Sequence, residues 1–303
     1  MTTPMNEQND GRETVRAARS FDQVSDAYAR ARPSYPREAA VWLAGGTTDV
    51  VLELGAGTGK LTEQLVALGH HVLASDPSPE MLAHLSRRLA DVATLQAPAE
   101  DIPLRAGSVG LVVAAQAYHW FDPERALPEI ARVLRPGGVF AAVWNLRDER
   151  IPWVRRLGDL IGTQEQNNNP TDDLDASGMF EPAQSATFRF WQPLDQRSLR
   201  DLVTSRSNVA SLPQTQRDQL LGKVDALYEE YGRGAHGMLL PYLTRCYRAV
   251  VRPDAAGGTD RDTAGGTERG DATGSGPEPA RSSGAPPVGP DRLETDELLI
   301  DFR

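Results

Sequence analysis

Two hydrophobic periods take turns along the first half of the chain. Val50 to Leu54 (VVLEL) is a short β-branched run closed by Gly55 and predicts a buried strand. From Lys60 to Leu68 the apolar residues Leu61, Leu65, Val66 and Leu68 fall at helical spacing, and Gly69 ends them. Val72 to Ser75 predicts a second strand, Ser78 to Ala90 a helix with Pro79 in its first turn, and Val92 to Leu95 a weaker third strand. Val109 to Ala115 (VGLVVAA) predicts the fourth strand, Pro123 to Leu134 a helix stopped by Pro136-Gly137-Gly138, and Val139 to Trp144 the fifth strand. Strict alternation of this kind implies βαβ crossovers and a parallel sheet covered on both faces, an α/β fold.

Beyond residue 150 the pattern changes. Ile151 to Ile161 and Thr215 to Tyr231 predict helices, while Ala186 to Trp191 and Met238 to Val250 predict strands. These two strands are expected to pair antiparallel at one edge of the sheet, with the helices between them capping the ligand face. The polar stretch Gln164 to Ser177 (QEQNNNPTDDLDAS) reads as a mobile loop. Periodicity stops at Arg252. From Pro253 to Pro287 there is no Val, Ile, Leu, Phe, Tyr, Trp or Met, so that segment cannot offset its chain entropy by burial and is expected to be disordered. The final LETDELLIDFR has the pattern of a short amphipathic helix and is read as an idle terminus.

Charge and composition narrow the function. The 303 residues carry a net charge of -10, of which -6 lies in residues 253–303 and -4 in residues 1–252. Neither part supplies the broad basic surface that nucleic-acid binding needs. The lone Cys246 excludes a disulfide framework and a multi-cysteine zinc site. No apolar run approaches a spanning helix, and the first twenty residues lack an apolar signal-peptide centre, so a cytoplasmic protein is expected.

Candidate chemistry gathers at the ends of the predicted strands. Glu53-Leu54-Gly55-Ala56-Gly57-Thr58-Gly59-Lys60 closes strand one and opens a helix. Its glycines permit a sharp turn and close approach of a ligand to backbone amides. The spacing G-x-G-x-G differs from the dinucleotide fingerprint, and Glu53, two residues before the first glycine, would repel a pyrophosphate while suiting a cationic ligand. Leu61 follows Lys60 where a phosphate loop needs Ser or Thr. Asp76 ends strand two, where a carboxylate can accept both hydroxyls of a ribose; the alternative is a helix N-cap within Asp-Pro-Ser-Pro. After strand three, Ala99-Glu100-Asp101-Ile102 offers an acid for an adenine amino group and an apolar side chain for its ring.

With these residues, together with VLRPGGVF before strand five, the sequence resembles the class I S-adenosylmethionine-dependent methyltransferases, in particular the small-molecule branch related to ubiquinone and menaquinone biosynthesis. FDQVSDAYARARPSYP, QAYHWFD and LPYLTRCYRAV are similar to a subgroup that includes trans-aconitate methyltransferase-like proteins. The resemblance covers roughly residues 20–252, leaving 1–19 and 253–303 as disordered ends. It implies a Rossmann-like seven-stranded, mostly parallel sheet with its last strand antiparallel, an N-terminal lid over 20–48, cap insertions over 150–235, and S-adenosylmethionine as cofactor.

Carried over by residue, the resemblance implies that Gly55 and Gly57 line the methionine part of the cofactor within the loop Gly55, Ala56, Gly57, Thr58 and Gly59. Glu53 would act on its amino group, directly or through water. Asp76, followed by Pro77, would hold the ribose; Met81 and Ile102 would sandwich the adenine, with Glu100 or Asp101 near its amino group. Gln116 would close the sulfonium side. Tyr28 and Arg32, with Tyr35, belong to the lid, Arg32 pairing with the cofactor carboxylate or an acidic substrate; packing of a short helix is the alternative for the tyrosines.

Methyl transfer from a sulfonium needs alignment and exclusion of water, and needs a base only when the acceptor begins protonated. His119 is the candidate base or substrate contact, with ordering of its loop as the alternative; Tyr118 and Trp120 are candidates for shaping the acceptor pocket. The adjacent His70 and His71 point to opposite faces of a strand and cannot share a metal ion, so no metal is expected. Trp42, Trp144, Trp153 and Trp191 are read as core or cap residues, and Arg200 and Arg206 as a solvated helix face or contacts to an anionic substrate. The expected function is methyl transfer to a small-molecule acceptor, with an oxygen of a carboxylate or hydroxyl first, and with neither nucleic acid nor membrane as partner. A cofactor-binding protein without transfer, and a methyltransferase acting on a macromolecule, stay open.

Overall fold

In the computed structural model, which describes residues 32–46, 50–162, 169–232 and 237–256, seven strands form one sheet in the order β3-β2-β1-β4-β5-β7-β6. The strands are β1 (Val51–Leu54), β2 (Val72–Ser75), β3 (Ala93–Leu95), β4 (Val109–Ala115), β5 (Leu134–Arg147), β6 (Gln184–Leu194) and β7 (Met238–Val250). Strands β1 to β5 pair in parallel, β7 runs antiparallel to β5, and β6 runs antiparallel to β7. The edge pair is thus the one expected from the second half of the sequence.

Helices α1 (Arg37–Ala44) and α2 (Lys60–Ala67) cover one face, and α4 (Pro123–Val133) covers the other. The period of two along each strand assigns the residues. Leu52, Leu54, Val112, Ala114, Phe140 and Trp144 pack with Leu127 and Ile130 of α4. Their neighbours Val51, Leu111, Val113, Ala141 and Val143 pack with Leu43, Leu61 and Leu65 of α1 and α2. Both faces of β1 and β4 are therefore buried, which explains why those strands read as continuous apolar runs. Helix α3 (Pro79–Arg88) packs Leu85 on Ala56 and Ala74.

Two local expectations are corrected. Helix α4 ends at Val133, and β5 already begins at Leu134, so Arg135-Pro136-Gly137-Gly138 lies inside the strand and not in a stop before it. The register jumps there, from Val109 opposite Leu134 to Leu111 opposite Val139, with Gly137 at φ +77°. No side-chain alternation marks such an irregularity, so the pattern hid it. Secondly, the polar stretch read as a loop contains helix α6 (Thr171–Ser177), which buries Leu174; residues 163–168 lie outside the described residues. With a single buried apolar residue, α6 has no periodicity of its own and depends on docking.

Helices α5 (Pro152–Ile161), α7 (Gln196–Thr204), α8 (Ser207–Ala210) and α9 (Gln214–Tyr231) form a second apolar cluster with Leu194, Met238, Leu240 and Tyr242. They therefore sit over the ends of β6 and β7. Of the tryptophans, Trp144 is in the core, Trp153 stacks on Tyr231, Trp42 lies under Arg248, and Trp191 is exposed on the edge strand. None of the helices among the described residues is long and apolar enough to cross a membrane. Of the ends expected to be disordered, 1–19 and 253–303, residues 1–19 and 257–303, including the C-terminal amphipathic stretch, lie outside the described residues; residues 253–256 instead form a turn that buries Ala256 against the core.

Burial sets the expected cost of substitution along the sheet. Leu111→Ala, in the centre of β4, should lower stability by about 2–5 kcal/mol in urea denaturation, whereas Trp191→Ser on the outer strand should cost less than about 1 kcal/mol.

Candidate active site

Strand order reverses between β1 and its two neighbours, β2 on one side and β4 on the other, so the crevice opens at their carboxyl ends. A cavity of about 470 Å³ occupies that position. Of the residues singled out from the sequence, Arg32, Gly55, Ala56, Gly57, Thr58, Asp76, Pro77, Met81, Glu100, Gln116 and Trp120 line it.

The loop after β1 is built by two constraints. Gly55 stands at φ +66°, and a Cβ there would come within 2.5 Å of Ala117 Cβ, so the close approach of this turn to the β4 tip requires glycine. Gly57, at φ +55°, faces space in which a Cβ would meet nothing within 4 Å, which is the cradle of the cavity. Its N–H donates to Asp76 Oδ2 at 2.9 Å, tying the loop to the end of β2. The other oxygen of Asp76 accepts from the Ser78 N–H at 2.9 Å, while Ser78 itself caps α3 by accepting from the Met81 N–H. Asp76 is thus not the helix cap; its buried carboxylate forms part of the cavity wall.

Gln116 sits at the tip of β4 with φ +54°, the one non-glycine residue in left-handed conformation among the described residues. That backbone costs energy and persists because its N–H donates to Val143 O at 2.8 Å and its side chain donates to Asn145 O at 3.1 Å. Asn145 itself, 1 % exposed, donates to Ser34 O and accepts from Thr244 Oγ1 at 2.6 Å. It joins the segment before α1, β7 and the cavity, and it was missed in the sequence. The available signal was an amide in the apolar run of β5. Lys60, Tyr35 and Phe121 also line the cavity.

Other residues singled out from the sequence lie elsewhere. Glu53 is behind the loop, 1 % exposed, accepting from Thr62 Oγ1 at 2.6 Å. Burial, with a smaller contribution from Asp76, pushes its carboxyl up to about 8 against the opposing bond from Thr62. Ile102 is packed in the core, its N–H donating to Glu129, and exposed Asp101 is not on the cavity wall; Pro98 and Ala99 are. Gly59 supplies the αL turn that precedes α2. Glu100 accepts from the Asp122 N–H at 2.8 Å.

Tyr118 is a core residue and not a pocket residue. Its ring packs against Phe121, Phe140 and Trp144, and its hydroxyl donates to Asp173 of α6 at 2.9 Å. His119 is exposed and outside the cavity lining; its Nδ1 accepts a long 3.5 Å contact from Trp144 Nε1, and its ring leans on Trp120. Trp120, 80 % exposed, stands at the rim of the cavity. The cap helices contribute no residue to the lining among the described residues. They rest over β6 and β7, whereas the cavity lies at β1, β2 and β4. Tyr28 lies outside the described residues. No cluster of three or more His, Cys, Asp or Glu able to hold a metal is found among the described residues, and His70 and His71 stand apart from the cavity.

In the folded chain Glu53 holds its proton up to about pH 8, but in the unfolded chain only up to the ordinary value of 4.5. Between those values the folded state binds more protons, so rising pH removes stability until the loss is complete above about pH 8. Glu53→Gln, which keeps an acceptor for Thr62, should flatten this dependence and stabilise the ligand-free protein at pH 9 by on the order of 1 kcal/mol or more, measured by denaturation across pH.

Residues 52–142 match the family model described as a methyltransferase domain. An uncharacterised methyltransferase of Mycobacterium tuberculosis is 45% identical over 235 residues, covering 77% of this chain and 96% of that protein. A methyltransferase-like protein of Schizosaccharomyces pombe is 34% identical over 240 residues, covering 75% of this chain and 93% of its own. Among solved structures, one from Anaeromyxobacter dehalogenans, provisionally described as a type II methyltransferase, superposes with a TM-score of 0.55 at 26% identity, covering 73% of this chain and 98% of that one. With its glycine loop, its Asp76 cavity wall and relatives matched over nearly their whole length, the chain belongs to the class I S-adenosylmethionine-dependent methyltransferases.

Proposed function

We propose that the cavity at the tips of β1, β2 and β4 holds S-adenosylmethionine and that the methyl group passes to a small-molecule acceptor, at an oxygen of a carboxylate or hydroxyl. The observation that carries this reading is the meeting, in one cavity of about 470 Å³, of the open cradle at Gly57 with the buried carboxylate of Asp76. That volume lies within the ordinary range for a small-molecule site. Both Asp76 oxygens are already anchored by N–H donors, and each keeps capacity to accept a ribose hydroxyl. Gly55 and Gly57 would border the methionine part, Met81 the adenine, and Glu100 its amino group. Glu53, neutral behind the loop, would ionise in answer to a cationic amino group at the cradle.

When bound, the cofactor supplies an electrophilic methyl group on a sulfonium. The chain's own contribution is alignment and a shielded wall, for which the braced Gln116 and Asn145 serve as a rigid back. Arg32, Tyr35, Lys60, Asp76 and Glu100 are the titratable residues on the described wall, and no histidine is among them. An acceptor oxygen that is already ionised, as a carboxylate is, needs no base from this wall. The similarity of FDQVSDAYARARPSYP and LPYLTRCYRAV to the trans-aconitate methyltransferase-like subgroup supports the same choice.

Asp76→Ala should weaken binding of S-adenosylhomocysteine by about 1–3 kcal/mol in calorimetry; unchanged affinity would remove Asp76 from the cofactor site. Incubation with methyl-labelled S-adenosylmethionine and a library of organic acids and hydroxylated compounds should yield a labelled ester or ether. Tight cofactor binding with no labelled product from either class would show a binding protein in place of an enzyme.

A further inference from the structure

Tyr35 is held in place from both sides along the chain. Ser34, before it, accepts from Asn145 Nδ2 at its carbonyl, 3.0 Å away, and from Gln64 Nε2 at its hydroxyl, 3.2 Å away, which ties the segment to β5 and α2. Pro36, after it, fixes the entry into α1. The ring packs into the apolar cluster of Leu43, Leu61, Val113, Val143 and Cys246, and the residue is only 7 % exposed. Tyr35 nonetheless lines the cavity. Its hydroxyl has no hydrogen-bond partner among the described residues, yet it keeps accessible surface. In a side chain buried to this degree, that open side is the cavity.

Packing accounts for the ring and not for the hydroxyl. Phenylalanine would fill the same place without withdrawing from water a polar group that lacks a partner. Burial first, then Glu53, raises the phenol well above the ordinary tyrosine range, so it stays protonated and serves as a donor. The groups that act on it are Glu53 of β1, Cys246 of β7 and the guanidinium of Arg32. Glu53 stands behind the glycine loop, so Tyr35 belongs to the end of the cavity that Gly55 and Gly57 border. A ligand lodged there with both an ammonium and a carboxylate would turn the ammonium to Glu53. Its carboxylate then needs a donor, and a charge-assisted bond from a fixed O–H suits it. Tyr35 offers that O–H on the same wall, within the positive field of Arg32.

We propose that the Tyr35 hydroxyl donates a hydrogen bond to the α-carboxylate of S-adenosylmethionine and so fixes the amino-acid end of the cofactor. The proposal rests on the reading that this cavity holds the cofactor. Because Ser34 and Pro36 set the position of Tyr35 beforehand, binding orders little that is not already ordered. A related thioether that lacks the carboxylate leaves the hydroxyl unpaired, so Tyr35 also helps to tell the intact cofactor from such compounds.

The test is calorimetry on the full chain and its Tyr35→Phe variant with three probes. These are S-adenosylhomocysteine, S-adenosyl-3-thiopropylamine, which lacks only the carboxylate, and 5′-methylthioadenosine, which lacks the whole amino-acid end. Tyr35→Phe should weaken S-adenosylhomocysteine by about tenfold or more and each of the other two by less than about twofold. Urea denaturation of the ligand-free variant should match the parent, because the ring is kept. Unchanged affinity for S-adenosylhomocysteine overturns the proposal. Equal weakening of all three probes also overturns it, since that reports a disturbed cavity and not a lost contact. Weakening of the first two but not of 5′-methylthioadenosine assigns the hydroxyl to the ammonium and overturns the carboxylate contact. Failure of the parent to bind S-adenosylhomocysteine overturns the cofactor reading itself, whereas binding that the variant keeps in full overturns the Tyr35 contact alone.

Discussion

The reversal of strand order at β1 governs the rest of the molecule. With β2 on one side and β4 on the other, the chain leaves β1 toward β2 and later crosses back from β3 to β4, so the loop at the end of β1 has no neighbouring crossover to pack against. The gap must be closed by backbone, so Gly55 and Gly57 carry positive φ and Gly55 comes against Ala117. A loop of that kind would be mobile unless tied down. The Gly57 N–H to Asp76 bond, and the Ala56 N–H to Ser75 O bond at 2.9 Å, fasten it to β2. The same reversal that opens the cavity thus dictates which residues must hold its floor.

The polar groups around that floor follow from how little water reaches it. Glu53 and Thr62 form a buried pair directly behind the glycines, and Asn145 with Thr244 forms another behind Gln116. Buried polar groups of this sort are costly unless paired, and here each pair braces one wall of the cavity. The sheet's apolar faces provide the rigidity against which such bracing works: the core clusters of α4 on one side and α1 with α2 on the other leave β1, β4 and β5 no freedom to shift. Charge is concentrated one step away, where Arg32, Arg147 and Arg206 meet at the end of β5.

How much of this was legible depends on whether a residue's role is local. VVLELGAGTGK could be read because a buried strand, a turn requiring glycine and a helix start each leave a signature within a few residues. Asp76 was legible as an acid at a strand end, though not as the acceptor of Gly57. The places of His119 and Tyr118 were not legible, for the opposite reason. Both lie in a short 3-10 turn, Tyr118–Trp120, where no period states which way a side chain points, and packing turned Tyr118 into the core and left His119 outside the cavity. Asn145 escaped notice because its importance comes from Ser34 and Thr244, about a hundred residues away on either side.

The sequence by itself determined the alternation of strands and helices, the parallel sheet with its antiparallel edge, and the glycine loop with its acids, because periodicity and backbone freedom are properties of neighbouring residues. Only the tertiary structure decided that Arg135-Pro136-Gly137-Gly138 continues β5, that Thr171–Ser177 is helical, and that the cap helices pack on the ends of β6 and β7. It also decided that Arg32, Arg147 and Arg206 share one place. Each of these rests on contacts between segments far apart in the chain, and no local rule of period, turn or charge encodes which distant segments will meet.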